Sequence, residues 1–308
     1  LLFGSAGGLC AAMDSFVLLL LLRVLQGLGG LSLPLMARTL IGDYYEDNQG
    51  TYMGYHDAWL SVGGALFPVL GGFLGGYYWW TPFFVYLTAL PVGAAALLVL
   101  PKQTFTQSES KKPYLSRLTE ALREGPLLFL LSGVFLVFVL KYGFMHTALP
   151  FLVNDLHGLE SSGIGLAVGT MALAAAGIAS LHGRLERNFA RIHLVGGGFF
   201  SYGAGLFLST VGENAVVLGI GILFAGLGHG LLLPALNTAI VGLADKELRA
   251  STMSVRKIFV RGGQTLGSPL LAWTGQSWGY TTTVMTTGAL VVGFSLLLLL
   301  RSPSMLET

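Results

Sequence analysis

The chain has 308 residues, of which 53% are hydrophobic and only 10% are charged, and its formal net charge is +2. Because soluble domains carry about 25% charged residues, this composition excludes a water-soluble globular protein and predicts that most of the chain lies in lipid. The small net charge gives no reason to expect a nucleic-acid partner. A single cysteine, Cys10, excludes an internal disulfide, and the sequence has no phosphate-binding or hydrolase motif. We therefore expect no metal, no cofactor and no enzymatic activity.

Long apolar segments recur along the chain, and a membrane-spanning helix needs about 20 such residues. The predicted segments are 1–13, 16–41, 55–77, 81–100, 127–153, 161–181, 192–211, 215–243, 253–274 and 281–300. They are too long and too continuous for the strands of a membrane barrel, which have about ten residues of alternating polarity. The sequence thus predicts an all-α polytopic membrane protein with about ten spans, the first of them incomplete.

Lys and Arg concentrate in one set of the segments that connect these spans, and this set faces the cytoplasm by the positive-inside rule. It includes the polar stretch 101–126, whereas the opposite set holds Asp14, Asp155, Glu160 and Glu213 and neither Lys nor Arg. We therefore expect a multi-pass protein of a cell membrane, the bacterial inner membrane, with its central linker and its C-terminus in the cytoplasm.

An internal repeat with an offset of about 200 residues relates two parts of the chain. The matched positions are Gly27-Leu28-Gly29 with Gly226-Leu227-Gly228, Pro34 with Pro234, Gly42 with Gly242, Met53 with Met253, and Gly63 with Gly263. Two similar halves joined by a cytoplasmic loop are typical of transporters built from parallel repeats. The repeat predicts a partial N-terminal half over 1–100, from within its third helix to its sixth, a linker over 101–126, and a six-helix C-terminal half over 127–308. We expect two helices and part of a third to precede residue 1.

Arg23 lies inside the second apolar segment, although a charge at the bilayer centre costs roughly 2.5–3.5 kcal/mol on insertion scales. Gln26 follows one turn later on the same helix face. The pattern Leu19-x-x-x-Arg23-x-x-Gln26-Gly27-x-Gly29 resembles the fourth-helix motif of the major facilitator superfamily, in particular of its proton-coupled drug-efflux branch. The resemblance implies that Arg23 and Gln26 take part in proton coupling. The alternative is an arginine whose side chain snorkels to the outer interface.

A second motif, Gly63-x-x-x-Phe67-Pro68-x-x-Gly71-Gly72-x-Leu74, resembles the fifth-helix antiporter motif, with Phe67 in place of a glycine. Small residues at Gly63, Gly71 and Gly72 let helices approach closely, and Pro68 bends its helix. The resemblance implies a packed, kinked helix that limits leak and favours export. The alternative is glycine packing without directional meaning.

Charged residues at the cytoplasmic side are candidates for gating. Gly183-x-Leu185-Glu186-Arg187 resembles the loop motif between the second and third helices of each half, with Glu186 in place of aspartate. We expect Glu186 and Arg187 to act in gating or in a salt bridge. Arg38 and Asp57 lie at the cytoplasmic ends of neighbouring helices and are expected to form a gate or a packing salt bridge.

Polar side chains also lie inside the spans of the C-terminal half. Lys141 is near the middle of segment 127–153, and a lysine at that depth faces a water-filled cavity or a partner. The predicted substrate-cavity residues are Lys141, Tyr142, His146, His229, Asn237 and Gln264. The alternative for them is a structural role between helices. Arg261, which precedes Gln264, is expected to pair with an acidic residue.

The resemblance as a whole implies a major facilitator-like fold with two pseudo-symmetric six-helix halves, acting as a monomer in the bilayer. We expect secondary active transport by alternating access, with proton-coupled efflux of a small amphipathic or cationic molecule such as a drug. One alternative is proton-coupled uptake of a sugar or metabolite, and another is a non-transporting membrane sensor or a membrane-embedded enzyme. Because no acidic residue lies at the centre of a span, the proton-carrying carboxylate is expected upstream of residue 1, unless coupling uses another route.

Overall fold

The computed structural model describes residues 1–31, 33–45, 48–99, 125–211, 214–243 and 249–300. Every secondary-structure element in these ranges is a helix, which confirms the prediction of an all-α protein. The chain divides into two compact units, Leu1–Ser108 and Glu109–Thr308. Most of the predicted linker, 101–126, lies outside the described residues, so the assignment of that stretch stays a prediction.

The first unit is built from helices of unequal length. They are α1 (Leu2–Leu9), a 3₁₀ turn (Cys10–Ala12), α2 (Phe16–Leu31), α3 (Leu33–Tyr44), α4 (Gln49–Gly75), a 3₁₀ helix (Thr81–Thr88) and α5 (Ala89–Val99). The span predicted over 81–100 therefore begins as a 3₁₀ helix. Pro82 lies in its first turn, and bulky aromatic residues follow that lose side-chain freedom in an α-helix. The Thr81 hydroxyl donates hydrogen bonds to the carbonyls of Leu74 and Tyr78, which ties this segment to the end of α4.

The second unit contains the longest helices of the chain. They are α6 (Gly125–Gly143), a π-helical turn (Phe144–Ala148), α7 (Leu149–His157), α8 (Ser161–Ser180), α9 (His182–Asn188), α10 (Arg191–Leu208), α11 (Ala215–Leu243), α12 (Arg249–Trp278) and α13 (Tyr280–Leu300). One apolar cluster runs through the unit, and its largest fully buried side chains are Tyr202, Phe144 and Phe199. The predicted span 127–153 thus contains a π-helical turn, a feature that is frequent at functional sites.

Seven stretches of the described chain are long and apolar enough to cross a membrane. They are Phe16–Gly42, Thr51–Gly75, Thr81–Val99, Gly125–Asp155, Ser161–Ser180, Ala215–Leu243 and Tyr280–Leu300, with a shorter apolar helix at Leu2–Ala12. The predicted spans 192–211 and 253–274 are also helical, as α10 and α12, but they are not among the seven. The helix α10 is rich in glycine, and α12 carries four basic residues, which lowers the mean hydropathy of both.

Each unit repeats the same close contact between two helices. In the first unit, a Cβ atom built on Gly29 of α2 would lie 2.6 Å from the backbone nitrogen of Phe3 in α1. In the second unit, a Cβ atom on Gly228 of α11 would collide with the backbone nitrogen of Tyr202 in α10. The two contacts are related by the same offset of about 200 residues as the sequence repeat. The repeated glycine therefore sets the spacing of equivalent helix pairs, because only glycine lets the backbones come so close.

This close approach predicts that alanine substitution at two glycines of α11 has very different effects on stability. Gly228→Ala places a methyl group against Tyr202 and 2.6 Å from the carbonyl oxygen of Gly198, so α10 and α11 must separate. We expect a loss of about 1–3 kcal/mol in stability, seen as a lower thermal unfolding midpoint in detergent. Gly219→Ala is the matched control, because no atom lies within 4 Å of its added methyl group. The control should be neutral or slightly stabilising, and equal midpoints for both variants would contradict this packing.

Candidate functional site

The Arg23 guanidinium is held by neutral groups of the first unit. Its Nη1 atom donates a hydrogen bond to Gln26 Oε1 at 2.8 Å and lies 3.5 Å from the Tyr86 hydroxyl. The guanidinium carbon is 4.6 Å from the ring centre of Phe83 and 5.5 Å from that of Tyr86. Within the described part of the chain, Arg23 forms no ion pair. Its positive charge is therefore solvated by an amide and two aromatic faces but is not neutralised.

The helix α1 fixes this group, which we call the Arg23 cluster (Arg23, Gln26, Phe83 and Tyr86). Gln26 is only 4% exposed, and Phe3 of α1 packs edge-on against Tyr86 with ring centres 5.5 Å apart. A Cβ atom built on Gly7 would lie 2.6 Å from Gln26 Nε2 and 2.7 Å from Tyr86 Cβ. Gly7 therefore makes room for both partners of the arginine. The sequence prediction included Arg23 and Gln26 but missed the two aromatic residues, which lie about 60 positions away and carry no motif.

A second group of polar side chains lies on α6 and α12, and we call it the basic cluster (Lys141, Tyr142, His146, Arg261 and Gln264). Arg261 Nη1 donates a hydrogen bond to Gln264 Oε1 at 2.9 Å, and the charge of Arg261 acts on Tyr142. The rings of Tyr142 and His146 lie 4.8 Å apart, and the charge of Lys141 acts on His146. Four of the six predicted cavity residues are thus brought together, and Arg261 joins them.

The π-helical turn places these side chains by changing the register of the helix after Tyr142. The carbonyl of Tyr142 accepts hydrogen bonds from the hydroxyl of Ser268 in α12 at 3.2 Å and from that of Thr147 at 3.4 Å. Glycines also bring the backbones of α6 and α12 together just before Tyr142. A Cβ atom built on Gly267 would lie 2.6 Å from the carbonyl oxygen of Val139. The geometry of the basic cluster is therefore set by direct backbone contact between α6 and α12.

The other two predicted cavity residues lie on α11, and the charge of Lys141 also acts on His229. His229 is 6% exposed, and its ring lies edge-on to Phe138 and Tyr202, with centroids 6.4 Å and 6.3 Å away. This position lies inside the helix packing, so the geometry favours the structural alternative for His229. Asn237 is half-buried, and its side-chain oxygen has no hydrogen-bond partner among the described residues.

The glycines of the antiporter motif are on α4, which continues through Pro68. A Cβ atom on Gly63 would meet only the Phe67 ring of its own helix, at 3.4 Å, and one on Gly71 would have no atom of the first unit within 4 Å. The described residues of this unit therefore provide no helix that packs on these two glycines. The proposed role of Gly63, Pro68, Gly71 and Gly72 stays a prediction.

The structure brings together the two charged residues predicted at the ends of α3 and α4. Arg38 Nη2 lies 3.2 Å from Asp57 Oδ1, and His56 Nδ1 lies 3.0 Å from the same oxygen. The side chains of Arg38 and Asp57 are 51% and 63% exposed, so water screens the pair and its contribution to stability is small. The geometry is compatible with a pair that opens and closes, and the gating role remains a proposal.

Glu186 of α9 forms a salt bridge with Arg191, and Arg187, the other residue predicted for gating or a salt bridge, lies beside it in the chain. Its Oε1 atom accepts a hydrogen bond from Arg191 Nε at 3.1 Å, and its Oε2 atom lies 3.7 Å from His182 Nε2, whereas Arg187 is exposed. Burial raises the pKa of Glu186, but hydrogen bonds from Arg191 and Thr238 and the nearby charges outweigh burial and hold this pKa below its ordinary value of 4.5. Glu186 therefore stays ionised at neutral pH and connects α9 to α10 and α11.

Neither of the two cavities described within the units contains the predicted site residues. One, of about 610 Å³ in the first unit, is lined by apolar groups of α1 and the 3₁₀ helix, such as Leu9, Trp80 and Phe84. The other, of about 220 Å³, lies in the second unit beside Phe129, Phe199 and Phe294. The Arg23 cluster and the basic cluster therefore line neither of these two cavities.

Apolar helices long enough to cross a membrane, with arginine and lysine inside them, indicate a multi-pass membrane protein with polar sites within its spans. The family model of the Major Facilitator Superfamily matches residues 1–267 and 130–307, and the chain belongs to this family. The prediction of a major facilitator-like fold is thereby confirmed. The membership indicates a transporter rather than an enzyme.

Two curated relatives match parts of the chain. The MFS-type transporter ucsD of Acremonium sp is 34% identical over 99 residues, which is 32% of this chain and 17% of that protein. The MFS-type transporter gkaD of Penicillium citrinum is 28% identical over 142 residues, which is 46% of this chain and 24% of that protein. The chain thus spans less than a quarter of the length of either relative in these matches.

Solved structures agree with the fold along nearly the whole chain. A bacterial homolog of the human lysosomal transporter Spinster superposes with a TM-score of 0.73 at 18% identity, over 99% of this chain and 81% of that one. A POT family transporter in complex with a thioalcohol conjugated peptide has a TM-score of 0.76 at 14% identity, with the same coverage. The human organic anion transporter MFSD10 (TETRAN) gives 0.63 at 18% identity, over 96% and 74%. At these identities the likeness shows the fold alone.

The lowered pKa of Glu186 predicts a pH-dependent contribution to stability. A carboxylate with a depressed pKa stabilises the folded state above pH 4.5, and this contribution disappears as the pH falls through the lowered value. We expect Glu186→Gln to lower stability by about 1 kcal/mol or less at neutral pH. Its thermal unfolding midpoint should converge with that of the parent protein in acid. Glu160→Gln is the control, because Glu160 is exposed and forms no ion pair among the described residues. If the unfolding midpoint of Glu186→Gln stays below that of the parent protein at pH values under the lowered pKa, the stabilising role assigned to the Glu186 carboxylate is contradicted.

Proposed function

We propose that the protein is a secondary active transporter that exports small amphipathic molecules in exchange for protons by alternating access. Membership of the Major Facilitator Superfamily supports the transport class, and both curated relatives are named as transporters of this type. Direction, coupling ion and substrate are parts of the proposal. The division of the chain into halves over 1–100 and 127–308, joined by a cytoplasmic linker, belongs to it as well.

One observation supports the coupling role: Arg23 lies within a spanning helix and forms no ion pair with any residue that the structure describes. A guanidinium does not lose its proton in a protein, so it acts as a permanent charge. Its partners Gln26 and Tyr86 fix its position without neutralising it. Such a charge lowers the pKa of a carboxylate that approaches it and holds that carboxylate ionised until a proton or substrate arrives.

The Arg23 geometry also bears on the snorkelling alternative. A snorkelling side chain extends along the helix towards the interface and keeps its charged end in water. The Arg23 side chain is half-buried, and its charged end lies against the Gln26 amide and the Phe83 ring. These contacts favour a fixed position for the charge over a free one.

The remaining parts of the proposal concern the membrane. We propose that the basic connecting segments face the cytoplasm, because the positive-inside rule separates them from the acidic ones. The protein is taken as a monomer with a small-molecule substrate, protons and the bilayer as its partners. The bacterial inner membrane is left out of the proposal, since the curated relatives come from Acremonium sp and Penicillium citrinum.

The proposal predicts that Arg23 is required for proton-driven transport. In proteoliposomes of the full-length protein, Arg23→Ala should reduce probe movement driven by a pH gradient by about tenfold or more, because an interaction of 1.4 kcal/mol corresponds to a factor of ten. Arg23→Lys keeps the charge but loses the planar fork, so it should retain only part of the activity. Arg184→Ala, at an exposed position on α9, is the control and should transport like the parent protein.

Two outcomes, one in proteoliposomes and one in a separate assay with intact cells, would contradict the proposal. Transport by Arg23→Ala at the parent rate would remove the coupling role and leave a snorkelling arginine. Accumulation of probe inside intact cells on imposing an inward proton gradient would contradict export and favour uptake.

A separate prediction concerns the space that Gly7 provides. Gly7→Ala pushes a methyl group against Gln26 and Tyr86, so it should lower the number of protons moved per probe molecule without removing the protein from the membrane. Gly27→Ala, on the helix of Arg23, has no atom within 4 Å of its added methyl group and serves as the matched control. If the two variants show the same proton-to-probe ratio, the Arg23 cluster is not the coupling element.

A further inference from the structure

We infer that the substrate is an amphipathic organic anion, bound through its negative group at the basic cluster of α6 and α12. The inference rests on the proposed transport function and names the substrate class of that function. It replaces the expectation of a cationic substrate, which came from the family resemblance.

The charges of the basic cluster all have one sign. Lys141 lies in the last turn of α6, near the middle of the apolar stretch Gly125–Asp155, and Arg261 lies near the middle of α12. Neither forms an ion pair with any residue that the structure describes. The acidic partner expected for Arg261 is replaced by the neutral Gln264, at 2.9 Å. In the described part of the second unit, the acidic side chains Asp155, Glu160 and Glu186 lie on α7, at the start of α8 and on α9. The cluster therefore attracts anions and repels cations.

The positions of Lys141 and Arg261 exclude contact with lipid chains. Arg261 is exposed on the surface of the second unit and Lys141 is half-buried. Charged groups at this depth must face water or another polar group, because hydrocarbon cannot solvate them. Arg261 is a permanent cation, and neither it nor Lys141 has an acidic partner among the described residues. Such a site is completed by a ligand that carries the counter-charge.

Donors remain available in the cluster after its internal contacts are made. A guanidinium has five N–H donors in a planar fork, and the hydrogen bond to Gln264 uses only one of them. The Lys141 ammonium adds three more donors. Carboxylate, sulfonate and phosphate groups accept several such charge-assisted hydrogen bonds, which are about twice as strong as neutral ones. The paired rings of Tyr142 and His146 offer an apolar face for the body of the substrate.

The cluster is also preorganised. The hydroxyl of Ser268 and close glycine contacts lock α12 against α6, so Lys141 and Arg261 stay on adjacent helices in a fixed register. A Cβ atom on Gly263 would lie 2.5 Å from the carbonyl oxygen of Phe135, which shows how closely the helices meet. Because the positive charges are held in place before binding, little ordering is required of the protein when an anion arrives.

Three probes with one apolar body and different charges test the inference. They are phenylpropyl sulfonate, phenylpropyl alcohol and phenylpropyl-trimethylammonium, whose charges do not depend on pH. Each is titrated into the full-length protein in detergent without a proton gradient, and the shift of the thermal unfolding midpoint gives an apparent affinity. We expect the sulfonate to bind about tenfold more tightly than the alcohol, in line with one charge-assisted contact, and the ammonium more weakly than either. High salt should reduce the preference.

Two variants and a matched control assign the preference to the cluster. Lys141→Gln and Arg261→Gln should each lower the affinity for the sulfonate by about tenfold and leave that for the alcohol unchanged. Lys257→Gln removes an exposed charge from the same helix α12 and should behave like the parent protein. If Lys141→Gln fails to fold, Arg261→Gln at its exposed position decides.

Several outcomes would overturn the inference. They are equal shifts by the three probes, a preference for the ammonium, no shift by the sulfonate at any soluble concentration, and a sulfonate preference that survives in Arg261→Gln. These measurements need no proton coupling, so they are independent of the Arg23 experiment. A sulfonate preference without proton-driven transport would contradict the proposed function alone, and coupled transport without that preference would contradict the substrate class alone.

Discussion

Placing a positive charge inside a membrane-spanning helix constrains everything around it, because hydrocarbon offers no solvation. Both units meet this constraint in the same way. Arg23 donates to Gln26 at 2.8 Å, and Arg261 donates to Gln264 at 2.9 Å, in each case three residues further along the helix. A glutamine side chain satisfies a guanidinium donor without cancelling its charge. A carboxylate in the same place would have stabilised the arginine but would also have cancelled the positive charge on which the proposed coupling and the proposed anion binding depend.

The internal repeat separates what the fold needs from what function needs. The Gly29–Phe3 and Gly228–Tyr202 contacts occupy equivalent places in the two units, so they belong to the shared architecture. The stretch of the second unit that corresponds to Arg23–Gln26 is the apolar segment 222–225, in which Ile222 and Ala225 are buried. Helix packing of this kind therefore forms without arginine or glutamine. Arg23 and Gln26 add the free-energy cost of a charge within the membrane, and the architecture shared by the two units forms without them. This argues that the pair has a functional origin.

The sequence was sufficient for the helical class, for seven of the predicted spans and for the repeated glycine contact, because these follow from apolar length and from glycine spacing along one chain. It was not sufficient for features that depend on contacts between helices. The Tyr86 hydroxyl meets Arg23 across the unit, and Arg191 of the next helix pairs with Glu186. The π-helical turn after Tyr142 was also missed, and the Tyr142 carbonyl there accepts a hydrogen bond from Ser268 of another helix. Likewise, Phe138 and Tyr202 enclose His229, which no pattern within α11 could indicate.

The sign of the substrate charge also determines which force drives transport. If one cation leaves for each proton that enters, no net charge crosses the membrane, and only the concentration gradients contribute. If one anion leaves for each proton that enters, two positive charges move inwards in effect. The membrane potential then contributes about 2.3 kcal/mol per charge per 100 mV, in addition to the pH gradient. A basic cluster in the second unit and a fixed cation at Arg23 would thus let the same electric field that draws protons inwards also expel the substrate.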